Sequence, residues 1–114
     1  MVEVKLQQEH SQNILFFSGE LDYSTVDDCF QKVQREVRGI NQLILDFKGI
    51  QFIDSTGIGT ILKICAKLVG QGINIMHLQL SDGMFQTMDI LGMVDAGKRA
   101  ICFKKLQVIY KLEN

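Results

Sequence analysis

A change of hydrophobic period in the middle of the chain constrains the fold more than any other feature. Residues 43–47 form a short run that is almost wholly apolar, as in a strand buried on both faces. After residue 57, apolar residues recur at steps of three and four, which is the spacing of one helix face. They are Ile58, Ile61, Leu62, Cys65, Leu68 and Val69. A buried strand that leads straight into an amphipathic helix predicts a parallel βαβ crossover.

The N-terminal region has the pattern of an antiparallel hairpin. Apolar and polar residues alternate over residues 2–6, which indicates a half-exposed strand. Residues 13–17 indicate a second, more buried strand, and the polar residues 8–12 connect the two. Residues 18–23 should break the second strand before the first helix begins.

The first helix is predicted directly after this break. Its apolar stripe consists of Val26, Cys29, Phe30, Val33 and Val37. Ser24 and Asp27 have the spacing of a capping box, although glutamate is the usual residue at the second position. Gly39 lies where a left-handed C-terminal cap is expected.

The remaining elements are a strand, a short helix and a terminal segment with two interpretations. Residues 73–78 indicate a strand, and Ser81 or Asp82 can cap a helix that ends near Gly92. That helix carries Phe85, Met88 and Leu91. Residues 101–110 fit either a helical stripe or a strand, and their β-branched and aromatic residues favour a strand.

These elements together predict an α/β fold. The expected sheet is mixed, with an N-terminal antiparallel hairpin, βαβ units and helices packed on the sheet. The chain has 114 residues, of which 46% are hydrophobic, and it contains no proline. Since it also lacks a low-complexity linker, we expect one domain over residues 1–114.

The net charge limits the classes of partner, and the cysteine content limits the cellular compartment that we expect. Twelve basic and thirteen acidic residues give a net charge of −1, which predicts no nucleic-acid partner and no membrane partner. Cys29, Cys65 and Cys102 lack metal-ligand spacing and favour buried free thiols in a reducing compartment. The N-terminus does not resemble a signal peptide, and no apolar run approaches the roughly 20 residues of a spanning helix. We therefore expect a cytoplasmic protein.

Motifs of catalysis and cofactor binding are weak or absent in the sequence. The pair Gly57 and Gly59 lacks the third glycine of a dinucleotide fingerprint, and no phosphate-binding Gly-x-x-x-x-Gly-Lys loop is present. A serine nucleophile at Ser55 would need His10 or His77 as its base, and neither is spaced for that role. The sequence predicts no metal, no cofactor and no enzymatic activity.

The most specific feature that remains is a hydroxyl-rich turn at the start of the second helix. Asp54 or Ser55 can cap that helix, a role worth about 1 kcal/mol, and a phosphate would also be stabilised there. Gly57 and Gly59 each cost about 1 kcal/mol relative to alanine in a helix interior. Close packing on the sheet, or close approach by another molecule, would offset this cost.

Two segments with the appropriate spacing carry a family resemblance. Residues 45–59, with the sequence Leu-Asp-Phe-Lys-Gly-Ile-Gln-Phe-Ile-Asp-Ser-Thr-Gly-Ile-Gly, resemble the signature of STAS domains, especially bacterial anti-sigma factor antagonists. Residues 18–22 resemble a second sequence motif of that family. The resemblance extends from the first strand to Gly92. Beyond it the chain departs from the family, which often closes with a helix.

The resemblance implies a non-enzymatic protein that switches partners. An anti-sigma factor serine kinase would phosphorylate Ser55, and only the unphosphorylated form would bind that kinase. A phosphoserine phosphatase of the PP2C type would restore the binding form. A scaffold or a small-ligand-sensing module of a larger signalling assembly, without a phosphoswitch, is the alternative.

The same resemblance places the partner contact around the turn. The candidate contact residues are Asp22, Tyr23, Asp54, Ser55, Thr56, Gly57 and Ile58. Structural roles compete with contact roles at several of these positions. Asp22 and Tyr23 also fit a solvated helix entry, Asp54 also fits a helix cap, and Ile58 also fits the core stripe.

Overall fold

The computed structural model describes residues 1–112, and in this range it contains seven strands and three helices. They are β1 (Val2–Glu9), β2 (Gln12–Leu21), α1 (Val26–Glu36), β3 (Gln42–Ile53), α2 (Ser55–Gly70), β4 (Asn74–Leu80), α3 (Asp82–Ile90), β5 (Val94–Asp95), β6 (Ala100–Phe103) and β7 (Leu106–Leu112). The strands form one sheet in the order β1-β2-β3-β4-β7-β6-β5. Strands β2, β3, β4 and β7 are parallel, and the pairs at both ends are antiparallel. The predicted α/β class, N-terminal hairpin and βαβ units are confirmed.

The core lies between one face of the sheet and the helices. Alternate residues of the central strands are fully buried there, and the rings of Phe17 and Phe47 stack with centroids 4.4 Å apart. Apolar residues of α1 and α2 complete this core, among them Cys29, Val33, Ile61, Cys65 and Leu68. On the opposite face of β3, Ile44 and Asp46 are also buried. The prediction that residues 43–47 are covered on both faces is therefore confirmed.

Strands β2 and β3 are longer than the sequence predicts. The break predicted over residues 18–23 is wrong, because β2 continues to Leu21 and pairs in parallel with the second half of β3. Two register shifts accommodate Gly19, whose φ is +93°. A left-handed residue normally interrupts a strand, and here it forms an irregularity within one. The extension carries the ends of both strands to one edge of the sheet.

The capping box predicted at Ser24 and Asp27 is also wrong. Helix α1 begins after Thr25, and within the described chain the Thr25 side chain makes no capping hydrogen bond. The Ser24 hydroxyl instead donates to Asp22 Oδ1 at 2.6 Å. Local hydrogen bonds of short polar side chains compete with helix capping, and in this turn they prevail. Gly39 has a φ of +75°, as predicted for the end of this helix.

The C-terminal segment is strand, as predicted, but it forms a hairpin with an additional short strand. Strands β6 and β7 pair antiparallel around Lys104, whose φ is +55°, and β7 returns parallel to β4. Hairpin turns favour glycine, asparagine and aspartate, so a turn at two lysines gives no sequence signal. Ser81 caps α3 by accepting a hydrogen bond from Met84 N, which resolves the choice between Ser81 and Asp82.

Candidate functional site

Two chain segments meet at the edge where β2 and β3 end. Because neighbouring parallel strands point the same way, the loop after β2 lies beside the start of α2. Asp54 N donates a hydrogen bond to Leu21 O at 3.4 Å, and Tyr23 N donates to Asp54 Oδ2 at 3.4 Å. The fold thus brings the loop that carries Asp22 and Tyr23 against Asp54, which is more than thirty positions away in the sequence.

Asp54 is the cap of α2. Its backbone is extended, and its Oδ1 accepts a 2.7 Å hydrogen bond from Gly57 N. The sequence left open whether Asp54 or Ser55 caps this helix, and the geometry assigns the role to Asp54. Ser55 is the first residue of the helix and is exposed. Its hydroxyl therefore lies at the protein surface on a rigid helix end.

Gly57 is required by close packing of the two segments. A Cβ at this position would lie 2.1 Å from Leu21 O and 2.7 Å from Ile53 Cγ1. Gly59 differs, because a Cβ there would have no described atom within 4 Å. The sequence suggested packing for both glycines, and this reason holds only for Gly57.

Two carboxylates belong to the junction between the loop after β2 and the start of α2. Asp22 Oδ1 accepts hydrogen bonds from Ser24 N at 2.9 Å and from Ser24 Oγ at 2.6 Å. The hydroxyl bond is the main reason that the pKa of the Asp22 carboxyl lies below its ordinary value. Asp54 directly precedes Ser55 in the chain and is joined to this loop through Tyr23 N. An additional anion at Ser55 would therefore lie near the negative charge of Asp54.

Exposed aromatic rings flank the same edge. Tyr23 is 79% exposed and Phe52 is 55% exposed. Phe52 belongs to the extended part of β3, opposite Glu20. The sequence did not indicate Phe52 as a contact residue, because β3 was predicted to end at residue 47 and the direction of later side chains was unknown. Exposed aromatic residues beside a loop are common in protein interfaces.

The other candidate contact residues divide between surface and core. Thr56 is exposed, and its carbonyl accepts a 2.8 Å hydrogen bond from Thr60 Oγ1. Gly57 and Ile58 are buried, and Ile58 is only 1% exposed. The core-stripe interpretation of Ile58 is therefore confirmed.

A groove on the other side of Ser55 was not foreseen from the sequence. It has a volume of about 790 Å³ and lies between α2 and the β6–β7 hairpin. Its lining includes Ser55, Gly59, Leu62, Ala66, Phe103 and Leu106. We refer to it as the α2 groove. It depends on the hairpin, for which the sequence gave no turn signal.

The chain belongs to the STAS domain family, whose model matches residues 3–106. An anti-sigma F factor antagonist from Paenibacillus polymyxa is 32% identical over 96 residues, which cover 81% of this chain and 82% of that protein. Antagonists of this family are generally non-enzymatic. The predicted family resemblance is thus confirmed.

A solved structure of low sequence identity shares the fold. It is an uncharacterized protein with a SpoIIAA-like fold from Shewanella loihica, with a TM-score of 0.54 and 8% identity. The match covers 98% of this chain and 85% of the other. Among residues 1–112, no helix is long and apolar enough to cross a membrane.

Proposed function

We propose that this chain is an anti-sigma factor antagonist that acts in the cytoplasm by switching partners at Ser55. The unphosphorylated form binds an anti-sigma factor serine kinase, and phosphorylation of Ser55 by that kinase releases it. A phosphoserine phosphatase of the PP2C type regenerates the binding form. The observation that supports this proposal best is that Ser55 is exposed at the start of α2 while Asp54 supplies the cap.

The local charges explain why a phosphate would expel a partner. Phosphorylation adds about −1.5 to −2 charges at neutral pH. The helix N-terminus stabilises this charge within the free protein. A docked partner would have to desolvate the phosphate beside the carboxylate of Asp54, which is unfavourable. Phosphorylation therefore weakens the complex more than it affects the folded chain.

The switch requires little refolding. The capping bond from Gly57 N to Asp54 Oδ1 and the bond from Tyr23 N to Asp54 Oδ2 do not involve the Ser55 side chain. Modification of Ser55 changes the charge of the surface and leaves the junction of the two segments in place. The same surface then binds the partner when it is unmodified and releases it when it is phosphorylated, while the backbone conformation stays the same.

Incubation with an anti-sigma factor serine kinase of the same organism, in the presence of ATP, tests the proposal. We expect the mass of the wild-type chain to rise by one phosphate and that of Ser55→Ala to stay unchanged. Thr56→Ala, which removes the neighbouring hydroxyl, is the matched control and should still be phosphorylated. Undiminished phosphate on Ser55→Ala would refute the assignment.

Binding to the same kinase in the presence of ADP tests the switch itself. Ser55→Ala should bind about as well as the wild type, and Ser55→Glu should bind at least about tenfold more weakly, a loss of about 1.4 kcal/mol. Treatment of the phosphorylated chain with a PP2C-type phosphatase should restore binding. Equal affinity of the phosphorylated and unmodified chains would contradict partner switching.

A further inference from the structure

The α2 groove continues the surface around Ser55 along one side of α2. Ser55, Gly59, Leu62 and Ala66 all line it and recur at steps of four, three and four. Such residues share one helix face, and eleven residues of helix span about 16 Å. The opposite wall is apolar and includes Phe103 and Leu106. Ser55 therefore lies at one end of an apolar groove about three helical turns long.

Gly59 has no packing reason within the described chain to be glycine. Glycine in a helix interior is less favourable than alanine. The packing of Leu21 explains Gly57, but apart from its chain neighbours and the nearby backbone of α2, no described atom would lie within 4 Å of a Cβ at position 59. Gly59 also has no positive φ that would require glycine. A molecule whose backbone or side chains approach this point would account for the small residue.

The charges of the groove define the chemistry of its occupant. Lys63, Lys104 and Lys105 line it. In the part of the chain that the structure describes, none of these lysines lies within ion-pair distance of a carboxylate. An occupant with apolar side chains flanked by carboxylates would satisfy both the apolar walls and the lysines. The positive charge of the groove thus contrasts with the carboxylates of Asp22 and Asp54 at the junction of the two segments.

The open shape of the groove favours a protein segment over a small molecule. Leu91 is 48% exposed and Phe103 is 40% exposed, although both line the groove. Sites for small ligands usually bury most of the ligand surface. An amphipathic helix needs only one apolar face covered, and it can lie along an open groove. The small residues Ser55, Gly59 and Ala66 would allow such a helix to approach α2 closely.

We propose that the α2 groove is the second part of the docking surface and binds an amphipathic, acidic helix of the serine kinase. This inference rests on the proposed function and extends it. The helix lies with its apolar face along α2 and places Asp or Glu side chains near Lys63, Lys104 and Lys105. The kinase thereby contacts chain segments on both sides of Ser55.

Variants that fill or recharge the groove test this proposal. The probe is the same anti-sigma factor serine kinase, with ADP, and the readout is its dissociation constant. Gly59→Leu should raise the dissociation constant at least about tenfold, because the side chain occupies the groove. Lys63→Glu should raise it by about three- to tenfold and should lower its dependence on salt concentration.

Matched controls lie on the same helix outside the groove. Gly70→Leu also places a side chain in open space, at the end of α2, and Lys67→Glu reverses an exposed lysine one turn from Lys63. Both should bind the kinase within about twofold of the wild type. Lys63→Glu changes an exposed side chain, so a loss of binding in this variant does not depend on whether Gly59→Leu folds normally.

Three outcomes would overturn the proposal, and they are distinguishable. If Ser55→Glu loses binding while both groove variants bind like the wild type, the groove proposal fails and the proposed function stands. If the wild type does not bind the kinase, or Ser55→Glu binds equally well, both fail. If oleate binds the wild type saturably, Gly59→Leu abolishes oleate binding, and kinase affinity is unchanged in that variant, the groove is instead a site for an anionic amphiphile.

Discussion

At the scale of single residues, the start of α2 assigns the cap to Asp54 and leaves Ser55 free for the modification that we propose. Asp54 uses both carboxylate oxygens to hold the junction, one for Gly57 N and one for Tyr23 N. Ser55 follows it in the chain and is exposed. A residue that both capped the helix and accepted phosphate would lose the cap on modification. Because Asp54 is the cap and Ser55 is the proposed phosphate acceptor, modification would leave the cap in place.

The two glycines of α2 should respond oppositely to alanine. Gly57→Ala should destabilise the chain by about 1–3 kcal/mol, because the new Cβ meets the backbone oxygen of Leu21 and the junction must shift. Gly59→Ala should stabilise it by up to about 1 kcal/mol, because the helix gains propensity without a clash. Urea unfolding of both variants measures the difference. Equal changes in the free energy of unfolding would show that Leu21 does not restrict position 57.

His77 should make the chain less stable in mild acid. Burial lowers the pKa of His77, and the charge of Lys111 lowers it further. Because the folded-state pKa lies below the unfolded value of about 6.5, the unfolded chain takes up the proton first as the pH falls. The stabilisation is complete above the unfolded pKa and is lost as the pH falls through the folded pKa. His77→Gln should therefore unfold with a weaker pH dependence between about pH 7 and 5.

The titration of His77 can also be followed directly by NMR. Its pKa should lie below about 6.5 in the wild type and should rise in Lys111→Gln, which removes a neighbouring positive charge on β7. An unchanged pKa in that variant would mean that Lys111 does not act on His77.

At the scale of elements, α1 protects the exposed edge of the sheet. Strand β1 is an edge strand, and such strands carry unpaired backbone groups. Lys32 Nζ donates to Val2 O at 2.7 Å, and Leu6 N donates to Glu36 Oε1 at 2.9 Å. Two side chains of α1 thus satisfy edge groups that another strand would otherwise use. The helix both covers the core and limits edge-to-edge association.

The turn between β1 and β2 is a site where the hairpin can be strengthened. His10 has a φ of +52° and Ser11 a φ of +64°, values that residues other than glycine adopt uncommonly. Asparagine followed by glycine is the preferred pair for such a two-residue turn. The double variant His10→Asn/Ser11→Gly should be more stable by about 1 kcal/mol in urea unfolding. A loss of stability would indicate that these side chains make contacts which outweigh the strain.

At the scale of the whole molecule, the three free thiols report on global opening. Burial raises the pKa of Cys29 and of Cys65 to about 12 each, whereas Cys102 is only half-buried. At pH 8 a pKa of about 12 leaves about one thiolate in 10⁴, and burial also blocks the reagent. With Ellman's reagent, we expect at most one thiol to react quickly in the native chain and all three to react in urea. Two or more fast thiols without denaturant would contradict a well-packed core.

Around the candidate site, residues that are far apart in the chain lie close together in space. Sequence-based prediction failed mainly where such contacts decide the structure. The sequence predicted the family and the start of α2 and offered Ser55 as the candidate site, because a helical period and a motif each depend on neighbouring residues; it left the cap open between Asp54 and Ser55. It missed the extension of β2 to Leu21 and the outward position of Phe52, because the pairing of β2 with β3 supplies both. The sequence also predicted wrongly that Ser24 caps α1, since Asp22 accepts the hydrogen bond from that hydroxyl.

By itself, the amino-acid sequence determined the α/β class, the STAS family, the start of α2 and the candidate serine. These features follow from local hydrogen bonding, periodicity and motif spacing, which any short segment expresses. Only the tertiary structure decided that Asp22 and Tyr23 lie against Asp54, that Gly57 packs on Leu21, and that the α2 groove lies beside Ser55. Each of these depends on contacts between segments far apart in the chain, and the hairpin that forms the groove carries no local turn signal.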